Sequence, residues 1–213
     1  MRRKALRLLE AELEVEASAI TNYFVDKVRS SLQDFGVSKQ ISFKGPPDMI
    51  QRLPNVNSVT MSLEMNPKQA GVAVRGHYAH GSKDIGIEAQ VSPSFSSRDL
   101  RELSMEFGEK IRHELEHTVQ SKAILRKTPP SPNPGKIKTV SRYYADEGEV
   151  SAHVAGLWKH AKDRNLDFKD LVKSRLEKLR FFMLKAGTNS KASAKLIKKI
   201  EAAWVAHAQR RYG

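Results

Sequence analysis

The stretch that decides the predicted fold is HELEH, residues 113–117. The apolar spacing around it predicts a helix from about residue 97 to residue 123. His113 and His117 are four residues apart, so they share one helix face with Cβ atoms about 6 Å apart, and both imidazoles reach one metal ion. Glu114 stands beside them and is placed to take a proton from a water that the metal activates. The stretch therefore predicts a metal site with its own general base.

A third ligand is predicted on the next helix, which opens with YYADEGEVSAH over residues 143–153. Glu149 and His153 are again four residues apart, and a carboxylate from a second helix would complete three protein ligands with one position open for water. Glu149 is the predicted ligand, and His153, Asp146 and Glu147 are its rivals. An acidic cluster is also favoured by the dipole at a helix N-terminus, and this explanation suffices for Asp146 and Glu147.

Other polar residues near these helices are weaker candidates. Tyr143, Tyr144 or Arg142 would donate a hydrogen bond to the oxyanion that develops on a substrate carbonyl. A tyrosine near a helix start is more often a half-buried packing residue. Gln120 shares the face of His117 and either orients a ligand or packs beside the site.

The two motifs resemble the gluzincin division of zinc metallopeptidases. More narrowly, HELEHTVQ with YYADEGEVSAHVAG looks like small predicted metallopeptidases of tailed bacteriophages. Those carry an H-E-x-x-H-x-x-Q helix, then a Tyr, a Glu six residues on, and an Ala three further on. The matching residues here are His113, Glu114, His117, Gln120, Tyr143, Glu149 and Ala152. The resemblance covers about residues 84–157, a third of the chain.

The resemblance implies a zinc metallopeptidase that hydrolyses peptide bonds of a peptide or protein substrate. One zinc ion would be held by His113, His117 and Glu149, with Glu114 as general base and Tyr143 as a second catalytic group. It also implies a small twisted sheet packed on the active-site helix, with an edge strand that binds extended substrate. The strand Ile85–Val91 directly precedes the helix and is the predicted substrate strand.

Glu116 departs from the family pattern, which usually has uncharged residues between the second and fifth positions of the motif. It lies three residues from His113 and so borders the predicted metal. It is either an outer partner of a ligand or a charge that tunes or damages activity. The alternative function is a non-catalytic zincin-fold protein, a basic phage structural or nucleic-acid-associated module.

The predicted fold class is α+β and zincin-like, as one domain over residues 1–213. A long helix over residues 3–34 stops near Gly36. Alternating segments at 41–43, 59–63, 72–74 and 85–91 predict three or four short strands in a mainly antiparallel sheet. His77 and His80 fall in a predicted hairpin turn, GHYAHGS, where exposed histidines are common. The predicted parts are an N-terminal helix (1–36), a sheet and metal-site core (37–163) and a basic helical C-terminal subdomain (164–213).

The remaining patterns concern the second half of the chain. Helices are predicted at about 146–163, 167–186 and 190–211. The Pro-rich stretch 128–135 cannot be regular structure, and we expect an exposed, mobile loop beside the site or a simple connector.

The amino-acid composition shows a positive net charge and excludes several kinds of protein and site. The chain has 213 residues, 37 lysines and arginines against 24 acidic residues, and no cysteine. A disulfide scaffold, a cysteine nucleophile and a thiolate-bound metal are therefore excluded. Residues 146–213 hold over half of the net charge of +13, which favours an acidic partner or nucleic acid bound through the C-terminal helices. Apolar residues at helical spacing, Phe182 among them, also make these helices ordinary amphipathic ones.

The charged N-terminal segment lacks the apolar stretch of a signal peptide, and no run approaches a membrane span. We expect a cytoplasmic protein, in the host cytoplasm or the virion if phage-encoded, with no membrane partner.

Overall fold

The computed structural model describes residues 2–31, 40–121, 124, 129 and 131–213, and for residues 2–7 and Arg98 it describes the backbone alone. The described residues form an α+β structure with one four-stranded sheet, which confirms the predicted class. The chain, predicted as one domain, divides into two compact units, residues 1–119 and 120–213. Each unit has a hydrophobic core of its own.

The first unit combines two long helices with the sheet. Its elements in chain order are α1 (Arg2–Ser31), β1 (Gln40–Lys44), α2 (Pro47–Ile50), β2 (Ser58–Met65), β3 (Val72–Ala79), β4 (Asp84–Val91) and α3 (Ser97–Val119). The strand order is β1-β2-β4-β3. β1 with β2 and β3 with β4 are antiparallel, whereas β2 with β4 is parallel, so the sheet is mixed rather than built of antiparallel hairpins alone. The prediction that α1 continues to residue 34 lies outside the described residues.

The core of the first unit follows the two periodicities of its elements. Alternate residues of β2 and β4 face inward, while their neighbours on the other face are polar apart from Gly86. α3 packs on β3 and against α1 with a stripe of fully buried residues at every fourth position, Leu103, Phe107, Ile111 and Leu115. Phe107 meets Phe24 of α1 edge to face, with 5.3 Å between ring centroids. Burying one such phenylalanine stabilises the fold by about 1.5–3 kcal/mol, and the stripe fixes which face of α3 points away from the core.

The predicted substrate strand, Ile85–Val91, is not an edge strand. It forms β4, which pairs with β2 on one side and β3 on the other. β3 reaches the outer position because a tight turn folds it directly onto β4. Lys83 takes a left-handed conformation in that turn, at φ 59°, and donates from its backbone N to the Ala79 carbonyl. Alternation in the sequence shows that a strand is half-buried and not where it lies in the sheet.

β3 corrects the prediction for one of the two histidines. His77 lies within β3 rather than in a turn, whereas His80 lies in the turn that follows β3, as predicted, and both residues are exposed. In this sheet β3 runs to Ala79, five residues beyond the Val72–Val74 stretch that its sequence predicted.

The second unit is helical in its described part. It comprises α4 (Ile137–Tyr144), α5 (Glu147–Arg164), α6 (Phe168–Lys185) and α7 (Ser190–Tyr212). The last three match the predicted helices within a residue or two at each end, and α4 was not predicted. Asp146, Asp167 and Asn189 cap the three longer helices by accepting from backbone N–H groups of the first turn. Trp204 of α7 is buried at the centre of the core and donates to the Tyr144 carbonyl at 3.3 Å.

The Pro-rich stretch is described at residues 129 and 131–135; Thr128 and Pro130 lie outside the described residues. Asn133, Pro134 and Gly135 are exposed, as predicted, whereas Pro129 is buried. The Thr188 hydroxyl donates to the Pro134 carbonyl at 3.0 Å, so this part of the stretch is held on the second unit at the start of α7. Among the described residues, no helix has both the length and the apolar character needed to cross a bilayer.

Candidate metal centre

The histidine pair on α3 has the spacing of two ligands of one ion. His113 Nε2 and His117 Nε2 lie 3.3 Å apart, and each residue is 6% exposed. Zinc bonds of about 2.0–2.1 Å at a tetrahedral angle place two nitrogens about 3.3–3.4 Å apart, so the pair fits that ion. The same distance suits a hydrogen bond between the rings, whose donor depends on the tautomers.

Glu114 completes a compact buried group with the two histidines. One ligand atom from each of His113, Glu114 and His117 lies within 4.8 Å of the other two. The carboxylate lies over Gly76 of β3: a Cβ added at Gly76 would stand 2.6 Å from Glu114 Oε1, closer than real Cβ contacts. Glycine therefore makes room for this carboxylate. Gly76 was not among the predicted site residues, although a glycine inside a strand often marks such a close approach.

His80 stands at the rim of the pair. Its ring centroid is 6.5 Å from that of His117 and 4.7 Å from that of Tyr78, edge to face in both cases. Tyr78 is anchored in turn, because its hydroxyl donates to the Asn55 carbonyl at 2.7 Å and the Asn55 amide donates to the Thr118 carbonyl of α3 at 2.9 Å. Burial, and next the neighbouring His117, lower the pKa of His80.

Glu116, the charged residue inside the motif, is paired with Arg112. Arg112 Nη1 donates to Glu116 Oε2 at 3.0 Å, and the two side chains are 0% and 5% exposed. The pair is four residues apart on α3 and lies on a different side of the helix from Ile111 and Leu115. The charged residue inside HELEH thus has a buried counter-charge beside it.

The second unit holds the other predicted site residues. Glu149 lies in the first turn of α5 and is 3% exposed. Asp146 is the N-cap of that helix and accepts from the backbone N of Gly148 at 3.0 Å and of Glu149 at 3.3 Å. Capping of the helix N-terminus therefore explains why an acidic residue stands at position 146, without a role for Asp146 as a metal ligand. Glu147 is exposed.

His153 is held by aromatic rings. It stacks on Tyr144 at 5.1 Å and on Trp204 at 4.9 Å between centroids, and Tyr143 approaches it at 5.9 Å. Its Nε2 is 3.8 Å from Glu149 Oε2. Burial, and next the charge of Glu149, raise the pKa of Tyr144. His153 therefore lies beside the Glu149 carboxylate and is its rival as a ligand.

Gln120 acts on the start of α5. Its amide donates to the Gly148 carbonyl at 2.8 Å, and a Cβ added at Gly148 would stand 3.0 Å from Gln120 Oε1. Gln120, which was predicted either to orient a ligand or to pack beside the site, thus holds the turn that carries Glu149.

The structure brings His113, Glu114 and His117 together in the first unit, and Glu149, His153 and Tyr143 together in the second. Comparisons with protein-family models, curated proteins and solved structures gave no match to the chain.

Proposed function

We propose that the protein is a zinc-dependent metallopeptidase. The observation that carries the proposal is the buried group His113-Glu114-His117, in which two imidazole nitrogens stand at the spacing of two zinc ligands beside a carboxylate. When bound, zinc lowers the pKa of water and polarises a substrate carbonyl.

Glu114 would then act as the general base. Its carboxylate lies beside the histidine pair and over Gly76, and this position supports a role in accepting the proton of the attacking water. The same carboxylate would pass that proton to the leaving amine, and such proton transfers contribute about 10²–10⁴-fold to a rate.

β3 is the strand proposed to bind the substrate, in place of β4. It is an edge of the sheet, and Gly76 of this strand lies directly at the Glu114 carboxylate. An extended peptide that adds to an edge strand pairs through its backbone about 4.8 Å away. This pairing would place a peptide bond near the base without demanding particular side chains.

For the third ligand we retain Glu149, and for a donor to the oxyanion we retain Tyr143, both on the grounds of the sequence. Glu149 is buried at the first turn of α5, and Gln120 fixes that turn. His153 and His80 are the alternative ligands that an experiment must compare with it.

The experiment measures zinc content by mass spectrometry of the purified protein and cleavage of an unfolded protein substrate. Glu114→Gln should keep zinc and lose at least about 10²-fold in cleavage, because the base is gone while the ligands remain. His113→Ala should lose zinc and cleavage together. Glu102→Gln, at an exposed glutamate of the same helix, is the matched control and should change neither.

The third ligand is tested by the same two measurements. Glu149→Ala should lose zinc, whereas His153→Ala and His80→Ala should keep most of it. Stoichiometric zinc with undiminished cleavage in Glu114→Gln would refute the mechanism. A parent protein without zinc would favour the non-catalytic alternative.

A further inference from the structure

The net charge of the protein is confined to its second unit. Residues 120–213 carry 21 lysines and arginines against 8 acidic residues, for +13, whereas residues 1–119 carry 16 of each. The boundary between the units is thus also a boundary in charge. A field of one sign on one unit selects a polyanionic partner for that unit.

Helix α7 collects part of this charge on one face. At 100° per residue, Lys191, Lys195, Lys198 and Lys199 fall within about 60° of Lys195. All four are exposed, and they lie opposite the buried side chains of Ile197 and Trp204. The only acidic residue of α7, Glu201, lies about 120° from Lys195. The lysines form a stripe about 12 Å long, and in the described part of the chain no ion pair neutralises them.

The end of α6 adds exposed aromatic rings. Phe181 is 62% and Phe182 is 56% exposed, and their ring centroids are 5.8 Å apart. The spacing of Phe182 predicted a core residue, and that prediction was wrong. Val172, Leu176 and Met183 fill the α6 part of the core instead, and Phe182 lies about 100° from Met183 around the helix. Exposed Lys178 and Lys185 flank the two rings.

A short turn joins these two features. α6 ends at Lys185 and α7 begins at Ser190, so the last turn of one helix and the first turn of the other lie at the same end of the unit. We propose that this end binds single-stranded nucleic acid. The binding surface comprises Phe181, Phe182 and Lys185 of α6 with Lys191, Lys195 and Lys198 of α7. The lysines would contact phosphates and the two rings would stack with bases, the combination that sequence-tolerant single-strand binding uses.

A membrane surface fits these observations less well. A helix that lies in a bilayer interface buries a whole apolar face in it. The apolar faces of α6 and α7 are already buried in the core of the unit, which leaves only Phe181, Phe182 and Leu184 exposed at this end. A duplex keeps its bases stacked inside and offers no free base for the phenylalanines. The proposal does not depend on zinc or on turnover.

The test measures the fluorescence anisotropy of a labelled, mixed-sequence single strand of about 16 nucleotides, titrated with the full-length protein at several salt concentrations. Phe181→Ala with Phe182→Ala should weaken binding at least about fivefold, because a stacked base contributes to affinity on that scale. Lys191→Gln, Lys195→Gln and Lys198→Gln together should weaken it roughly tenfold and reduce the salt slope by about 2. The replaced residues are exposed, so folding should be unaffected, as circular dichroism can verify.

The matched control replaces three exposed basic residues of the first unit, as Lys44→Gln, Lys68→Gln and Arg101→Gln. It removes the same charge and should leave affinity and salt slope unchanged. Equal losses in the two triple variants would overturn the proposal, and so would full affinity in the phenylalanine variant. Tighter binding of a matched duplex, or binding of phosphatidylserine vesicles without binding of the oligonucleotide, would also overturn it.

Discussion

Replacing Gly76 with alanine tests whether the Glu114 carboxylate acts as general base from its position over β3. The new Cβ would stand 2.6 Å from Glu114 Oε1 and 3.1 Å from Ile87 Cδ1, against an ordinary contact of 3.4 Å or more. The carboxylate is the far end of a flexible side chain, so it is the group that moves. It must retreat by about 0.8 Å, whereas Ile87 gives by a few tenths of an ångström.

The expected effect separates activity from folding. A misplacement of about 1 Å at a catalytic group costs on the order of 10²-fold in rate, so Gly76→Ala should lose most cleavage of an unfolded protein substrate. Zinc should remain, because the new methyl group meets Glu114 and not the imidazoles. Gly76 is not in the left-handed region, and alanine in a strand is about 0.5–1 kcal/mol more favourable than glycine, so the melting temperature should change little.

Gly81→Ala is the matched control, since nothing lies within 4 Å of its added Cβ. It should keep both zinc and cleavage. If Gly76→Ala cleaves as fast as the parent protein, Glu114 does not act as the general base from its observed position over Gly76. If it loses zinc as well, the strand supports the histidine pair and our account of the glycine is wrong.

Two further predictions concern stability, measured by urea unfolding. Arg112→Met should lower the free energy of unfolding by about 3–5 kcal/mol, because it leaves the buried Glu116 charge uncompensated. Adding Glu116→Leu to Arg112→Met should recover most of this loss. An unchanged free energy of unfolding in Arg112→Met alone would contradict the prediction. Tyr78→Phe should cost about 1 kcal/mol at pH 8, where the Tyr78 hydroxyl donates to the Asn55 carbonyl. Partial burial, and next Asp84, raise the pKa of Tyr78 above 10.0, so its contribution is present below pH 10 and is lost as pH rises through that raised pKa. The difference from the parent should then shrink, and a constant difference would refute the assignment.

The sequence predicted the elements that depend on local signals. α5, α6 and α7 begin at capping residues and carry apolar residues at helical spacing, and these signals act within one helix. The inner residues of β2 and β4 alternate for the same local reason. α4 escaped prediction because its eight residues are preceded by prolines and carry no capping side chain.

What escaped prediction depends on contacts between distant residues. The parallel pairing of β2 with β4 joins Ser58 to Asp84, and no local pattern records which neighbour a strand chooses. For the same reason, the sequence did not predict that β3 is an edge strand or that Gly76 approaches Glu114. The histidine pair of HELEH could be predicted because a single helical turn joins its two members. Phe182 was misjudged because helical spacing shows which residues share a face and not whether that face is covered.

The open edge of β3 also bears on self-association. β1, the other edge, is five residues long and ends at Lys44, and Pro46 and Pro47 follow closely with no backbone N–H to donate to a further strand. β3 has eight residues, and in the described part of the chain only β4 pairs with it. A strand that can accept a peptide can equally accept β3 of a second molecule, which would fuse two sheets into one of eight strands. Exposed Arg75, near the middle of β3, sets like charges close together in such a pairing, so the charge guards against aggregation while the edge stays open to a short, extended peptide.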